Sequence, residues 1–445
     1  MAMMGFSNSG TALSAPAALI VLGVALIGNS SNWNASANSE APSPCVAYGD
    51  SIDVTDFGAR GDAMSDNVQA FKEAIAYASK CSVATITVPA GTYEFIPRGP
   101  EAGIYLGSNL SLRGDGAGRT ILSVSDRNAN SNFASLFWAR NQDNISISGI
   151  TFVGNNVPIY DGNGRALNSY GSALIIAIDS GDSMPELGTP RDLAHFIVED
   201  CSFRNFNAAA WISVINYSTT FKIDDVRLID NEFVSYEKNA VNPSSVGYVS
   251  NAISIMGSMT SADGLVTKIV VSGNSINARY IKGGIAIWSG VLGATIEGNT
   301  IVDAGSAAYI PNNRGAYAIN VYNNAYYHDA AHADGAPMGG TRPDDVHIKG
   351  NNILHPRSCG VYVASAGRVW IVDNVISGQS DPEYESLPKG AIAVSQPSDA
   401  VVTGNKISSS FIGLAFYRGN HGVIRSTGNT VDNVMPRGFA IYPAR

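Results

Sequence analysis

Apolar and polar positions along this chain keep returning to one short phrase: a Gly or Asp, usually an Asn, one variable residue, and then Ile, Val or Phe. Nine copies occur, closing on Phe152, Phe203, Phe233, Ile276, Ile301, Ile353, Ile376, Ile407 and Val431. Several steps between them are short and similar: 25 residues from Asn274 to Asn299, 23 from Asn351 to Asn374 and 24 from Asn405 to Asn429. A period in the twenties predicts a solenoid. Before each phrase the pattern switches to period two, as in Gly284 to Trp288, Ala318 to Tyr322 and Gly360 to Ala364, which predicts a strand. Each repeat then reads as a first strand, a bend, and a second strand ending in the phrase.

Alternation also assigns faces. Taking the regular aliphatic column as inward places Ile212/Val214, Ile253/Ile255, Ile285/Ile287, Ile319/Val321, Val361/Val363, Ile392/Val394 and Leu414/Phe416 in the core. Ser213, Ser254, Ala286, Asn320, Tyr362, Ala393 and Ala415 then face outward, with Met256, Trp288, Tyr322, Ala364, Ser395 and Tyr417 in a second outward column. The recurring Asn belongs to the turns. Coils stacked about 4.8 Å apart let successive amides hydrogen-bond as a ladder, so these asparagines read as scaffold.

Upstream the period changes to that of a helix. Val68, Phe71, Ala74, Ile75 and Ala78 share one face of a segment from Asn67 to Lys80, with Asp66 placed to cap it. An alternating strand over 84–88 follows. The surrounding residues, Asp56-Phe57-Gly58-Ala59-Arg60-Gly61-Asp62, then Val88-Pro89-Ala90-Gly91-Thr92-Tyr93 and Leu112-Arg113-Gly114-Asp115-Gly116-Ala117, resemble the opening module of the pectate-lyase-like superfamily. That resemblance implies an all-β fold, a right-handed parallel β-helix solenoid with an N-terminal capping helix. It says little about chemistry, because the module opens lyases, hydrolases and epimerases alike. Asp56, Asp62 and Asp66 look like a metal set, yet the resemblance implies that they serve turns and caps.

Composition sharpens the picture. Charged residues make up 15% of the 445, Gly about a tenth (46), and the formal net charge is -9. An acidic chain of this kind is not a general nucleic-acid or anionic-membrane binder, although a local basic groove for an acidic glycan remains open. Residues 17–28 form an apolar run too short to span a membrane, followed by Ala35-Ser36-Ala37. The expected organisation is therefore a signal peptide over 1–37, a linker over 38–49 and a single β-helix domain over 50–445, exported to the periplasm or secreted. Of four cysteines, Cys45 and Cys81 bracket the first module and suit a disulfide in an exported protein. Cys201 takes the Asn place in its phrase and is expected to be a buried thiol.

Candidate chemistry concentrates over 279–362, where the period is broken by an inserted loop. For elimination across a uronic acid, Lys282, Arg314 and Asn320 can neutralise the carboxylate, and Tyr322 or His328 can move protons. Trp288, Tyr362, His332 and Arg357 are the candidates for holding the sugar, with Trp288 and Tyr322 expected to form a flat apolar platform. No metal ligand set is expected. His328 and His332 have a metal-like spacing, but a solvated loop is the better reading, and a divalent cation such as calcium is left open. A hydrolase needs two carboxylates about 5 to 10 Å apart; the outward columns from Ser213 to Tyr417 hold none, so its acids would come from loops, such as Asp329 and Asp334, or from Asp179 at a strand end. The paired-aspartate motifs associated with polygalacturonase-like hydrolases of the superfamily that this chain resembles are not found, and an Asp-Pro-His run is missing too. The expectation is a polysaccharide lyase acting on an acidic glycan, with a hydrolase, a C5 epimerase or a non-catalytic glycan-binding solenoid as alternatives.

Overall fold

The computed structural model describes residues 50–96, 103–125, 135–154, 159–160, 166–167, 172–178, 188–206, 210–235, 251–258, 261–306, 316–323, 341–379, 390–395, 399–410, 412–417, 422–432 and 437–442. The signal peptide and linker expected over 1–49 lie outside these residues.

Three long parallel sheets wind into a right-handed β-helix. Sheet A has twelve strands, from Ser51–Asp53 to Val423–Thr427. Sheet B also has twelve, from Asp62–Asp66 to Thr430–Asp432. Sheet C has eleven, from Ile104–Tyr105 to Arg437–Tyr442. A coil thus contains three strands, where alternation alone suggested two. The missed one is the three-residue strand inside the phrase itself, such as Ser275–Asn277 or Thr300–Val302, too short to show a period. Its central residue points inward, and Phe152, Phe203 and Phe233 stack there with ring centroids 5.0 Å apart.

The phrase is the turn from sheet A to sheet B, and its residue types follow from backbone geometry. In all nine copies the leading Gly or Asp has a positive φ, from 51° at Asp200 to 68° at Gly404. Gly reaches this left-handed region freely and Asp tolerates it better than most residues. The next residue builds the ladder. Asn299 Oδ1 accepts from the Asn274 backbone N–H (3.0 Å) and from Asn274 Nδ2 (2.9 Å), while Asn299 Nδ2 donates to the Val271 carbonyl (2.9 Å) and to Asn351 Oδ1 (2.9 Å). The pattern runs unbroken from Asn231 to Asn429. At its head Cys201 donates only its backbone N–H to Asn231 Oδ1, and its free thiol is buried, as expected; burial pushes its pKa up to about 12.

The inward columns are as alternation assigned them: Ile212, Val214, Ile285, Ile287, Ile319, Val321, Val361 and Val363 are wholly buried or nearly so. At the N-terminal end the helix Val68–Cys81 lays Phe71 against Tyr93, Phe95 and Phe137 and closes the barrel. Its cap differs from expectation by one residue. Asn67 is the N-cap position, but its side chain ties Arg60, Ser65 and Glu94 together, and Asp66 Oδ1 accepts from Val68 N–H instead. Asp62 accepts from the Met64 and Ser65 backbones and the Ser65 hydroxyl, so its carboxylate belongs to a turn. Cys81 is disulfide-bonded; Cys45 lies outside the described residues.

Two predictions follow from these turns. Replacing Asn299 with Ala leaves a buried backbone N–H and a buried amide without their acceptor, so unfolding by urea should show a loss of about 3 kcal/mol; a loss under about 1 kcal/mol contradicts the ladder's role. The bonds from Ser65 and Met64 lower the Asp62 pKa from 3.8 to about 2. The group therefore favours the folded state above its ordinary pKa and loses that contribution as the pH falls from near 4 toward 2. An NMR titration of Asp62 should give a midpoint near 2, and an ordinary midpoint near 4 would show that the turn is not formed.

Candidate functional site

Sheet C differs from the other two in what it shows to the outside. Its eleven strands contain no Asp or Glu. Ion pairs cluster on the other faces and in turns instead: Lys268 with Asp224, Arg227 and His195 with Asp225, Lys349 with Glu297 and Arg368 with Asp344. At Asp344 partial burial pushes the pKa up, but bonds from the Arg368 side chain and backbone outweigh it and hold the carboxyl below its ordinary range. Such groups are spent on structure.

The outward columns of sheet C follow from register. Ala286, Asn320, Tyr362, Ala393 and Ala415 pair in succession across neighbouring strands. Tyr322, Ala364, Ser395 and Tyr417 form the next column. At the start of the strand Tyr317–Tyr322, Ala318 and Ile319 both enter the inner core. Two consecutive inward residues shift Tyr317 to the outside, where it joins Cys359, Tyr362, Ala393, Ile412 and Ala415 in a second apolar cluster. Strict alternation could not find Tyr317 or Cys359, since an irregularity of one residue reverses the face.

Trp288 and Tyr322 meet as expected, with ring centroids 4.2 Å apart. They do not form a flat platform. The planes are inclined by 53°, as the quadrupoles of adjacent aromatic rings favour. Tyr317 and Tyr362 stack more evenly beside them, at 4.7 Å and 28°. Between these pairs sits Asn320, 7% exposed. Among the described residues its buried Oδ1 has no hydrogen-bond partner, and neither does the buried Nε1 of Trp288 on the preceding coil. A bare amide oxygen and a bare indole N–H, set among four aromatic rings, suit a ligand that offers both donors and acceptors, as sugar hydroxyls do.

The remaining sequence candidates divide. Lys282 is half-buried in the turn that leads into the strand Gly283–Ile287. Arg357 is held in a turn before the strand Cys359–Ala364: its backbone N–H donates to the Ala304 carbonyl and Nη1 to the Gly305 carbonyl at 3.4 Å. Arg314, His328 and His332 lie outside the described residues. Cys359 is no nucleophile, because complete burial pushes its thiol up to about 12. Among the described residues no group of three His, Cys, Asp or Glu is placed to hold a metal ion. His347, distant from this face, stacks on Trp370 at 4.3 Å on the outside of sheet A.

These features define a right-handed parallel β-helix in which the strands of one sheet turn aromatic rings outward and, among the described residues, carry no Asp or Glu. The chain belongs to the rhamnogalacturonase A/epimerase, pectate lyase-like family, whose model matches residues 51–328, and a right handed beta helix region model matches 283–444. No curated protein matches the sequence. Among solved structures, the Streptococcus pneumoniae surface protein and adhesin PfbA is similar over 88% of this chain and 100% of its own, at 17% identity and a TM-score of 0.55. The A-module of the Azotobacter vinelandii mannuronan C-5 epimerase AlgE4 is similar over 87% of this chain and 96% of its own, at 18% identity and a TM-score of 0.45. At such identities the likeness is one of fold.

A buried amide oxygen without a partner lowers stability, so Asn320 yields a prediction of unusual sign. The substitution Asn320→Leu should raise unfolding stability by about 1 kcal/mol while lowering ligand binding. A clear loss of stability would mean that the amide has a structural partner.

Proposed function

We propose that this protein is an exported, carbohydrate-active enzyme that cleaves an acidic, uronic-acid-containing polysaccharide by β-elimination on the outer face of sheet C. The observation that carries the reading is the contrast on that face. It offers stacking rings and unpaired hydrogen-bonding groups, but none of its eleven strands brings a carboxylate. Glycoside hydrolysis needs two carboxylates flanking the bond. Elimination needs none. A base removes the C5 proton, the released electron pair forms the C4–C5 double bond, the C4–O bond breaks, and the departing glycosidic oxygen takes a proton.

In this reading Lys282 and the Asn320 amide, with Arg314, neutralise the uronate carboxylate so that the adjacent proton can leave. Tyr322 and His328 are the candidates for proton transfer, and Trp288, Tyr362, His332 and Arg357 for holding the chain. The family's description, which names a rhamnogalacturonase, an epimerase and a likeness to pectate lyase, supports a glycan substrate. It also favours a second reading, C5 epimerisation, which shares proton removal but returns the proton from the opposite side. Export agrees with a polymeric substrate outside the cell, and among the described residues no helix is long and apolar enough to cross a membrane.

Incubating the purified protein with a panel of uronic-acid polysaccharides tests the reading. Elimination predicts rising far-ultraviolet absorbance from the unsaturated ends, with Tyr322→Phe lowering the rate about 100-fold while glycan binding is retained. New reducing ends without absorbance would indicate hydrolysis, and inverted residues in an intact chain would indicate epimerisation. Retention of glycan with no product at all would leave a binding protein.

A further inference from the structure

The half-exposed part of sheet C's outer face is longer than the Trp288 site. Register aligns Arg140, Ala177, Ile215 and Met256 on successive strands, leading to Trp288 and Tyr322 and then to Ala364, Ser395 and Tyr417. All but Ala177 are partly open to solvent. The stripe therefore runs along the solenoid axis at the carboxyl ends of the sheet C strands.

Its N-terminal end carries a second constellation that the proposed chemistry does not use. On the strand Ser135–Arg140, the half-buried Trp138 stacks on Tyr105 of the neighbouring strand with centroids 6.3 Å apart and planes inclined by 20°. The Arg140 guanidinium lies over the same indole, 5.7 Å from its centroid. The position is built rather than incidental. A Cβ on Gly103 would lie 2.5 Å from the indole Cδ1 and 2.6 Å from Nε1, so the ring edge occupies space that a residue larger than glycine would fill. The buried Trp138 Nε1 has no partner there among the described residues, the same condition as Trp288 Nε1. Of the side chains on the stripe, Arg140 is the only cation between this end and Tyr417.

We propose that Trp138, Tyr105 and Arg140 form a remote subsite for the same acidic glycan, with the aromatic rings receiving a sugar face and Arg140 its carboxylate. The inference rests on the proposed function for the class of ligand, not for the reaction. Four strand spacings separate the Arg140 and Trp288 strands, about 19 Å, which corresponds to roughly four pyranose rings of an extended chain. A chain that reaches both stations gains through linked binding; one that reaches a single station does not.

Isothermal titration calorimetry with four- and eight-residue fragments of polygalacturonate and of alginate tests this. The unsubstituted protein should bind the eight-residue fragment of one glycan at least about tenfold more tightly than the four-residue one, and Trp138→Ala should reduce that ratio to about twofold or less. Because Trp138 is half-buried, Arg140→Gln serves as the second variant. Its thermal melt should match the parent, its eight-residue affinity should fall about fivefold, and the salt dependence of that binding should weaken. A length preference unchanged in both variants overturns the subsite. If the eight-residue fragment binds as described but no product forms, the reaction assignment fails and the subsite stands. If none of the four fragments binds, the acidic class fails and takes the subsite with it.

Discussion

The structure depends on a hydrogen bond repeated from coil to coil: an asparagine Oδ1 accepting from the backbone and side chain of the asparagine one coil before. The bond forms only if the preceding residue takes a left-handed backbone, which is why Gly or Asp stands there every time. Together they fix each turn from sheet A to sheet B in one geometry and lock the stacking of neighbouring coils. Because each coil repeats this turn, side chains at matching positions align in columns on all three sheets. The outer face of sheet C inherits its order from asparagines on the far side of sheet A.

That rigidity is what makes a site possible on a bare sheet. Asn320 and Trp288 hold polar atoms that are buried and unpaired, a condition that lowers stability and that flexible surroundings would relieve. Here the backbone on both sides is clamped by parallel pairing with the neighbouring strands. Elsewhere the chain satisfies its polar groups carefully. The ladder asparagines, all but fully buried from Asn231 to Asn405, make several bonds each. Asn299 Oδ1 accepts two bonds while Asn320 Oδ1 has no partner among the described residues, a contrast that sets the scaffold apart from the candidate site.

Much of this was legible in the sequence, for physical reasons that also mark where legibility ended. The period gave the solenoid, the opening module gave the capping helix, and alternation placed both the inward Ile and Val pairs and the outward Trp288, Asn320 and Tyr322. The three-residue strands of sheet B escaped notice because three residues cannot display a period. Tyr317 and Cys359 escaped because two consecutive inward residues at the strand start invert the parity. The tilt between Trp288 and Tyr322 is a matter of side-chain torsion, which residue spacing does not encode. Residue spacing likewise did not show that Arg357 stands in a turn with Nη1 reaching the Gly305 carbonyl, since which of three faces a side chain joins is set by the coil's bends.

The central claim is that the outer face of sheet C, and not another face of the solenoid, receives the glycan. Hydroxyl-radical footprinting with and without a bound acidic polysaccharide tests it on the side chains themselves. Protection of Trp288 and Tyr322 with no change at His347 and Trp370 is the predicted result. Protection at His347 and Trp370 with Trp288 and Tyr322 unchanged would move the binding face to sheet A and contradict the account.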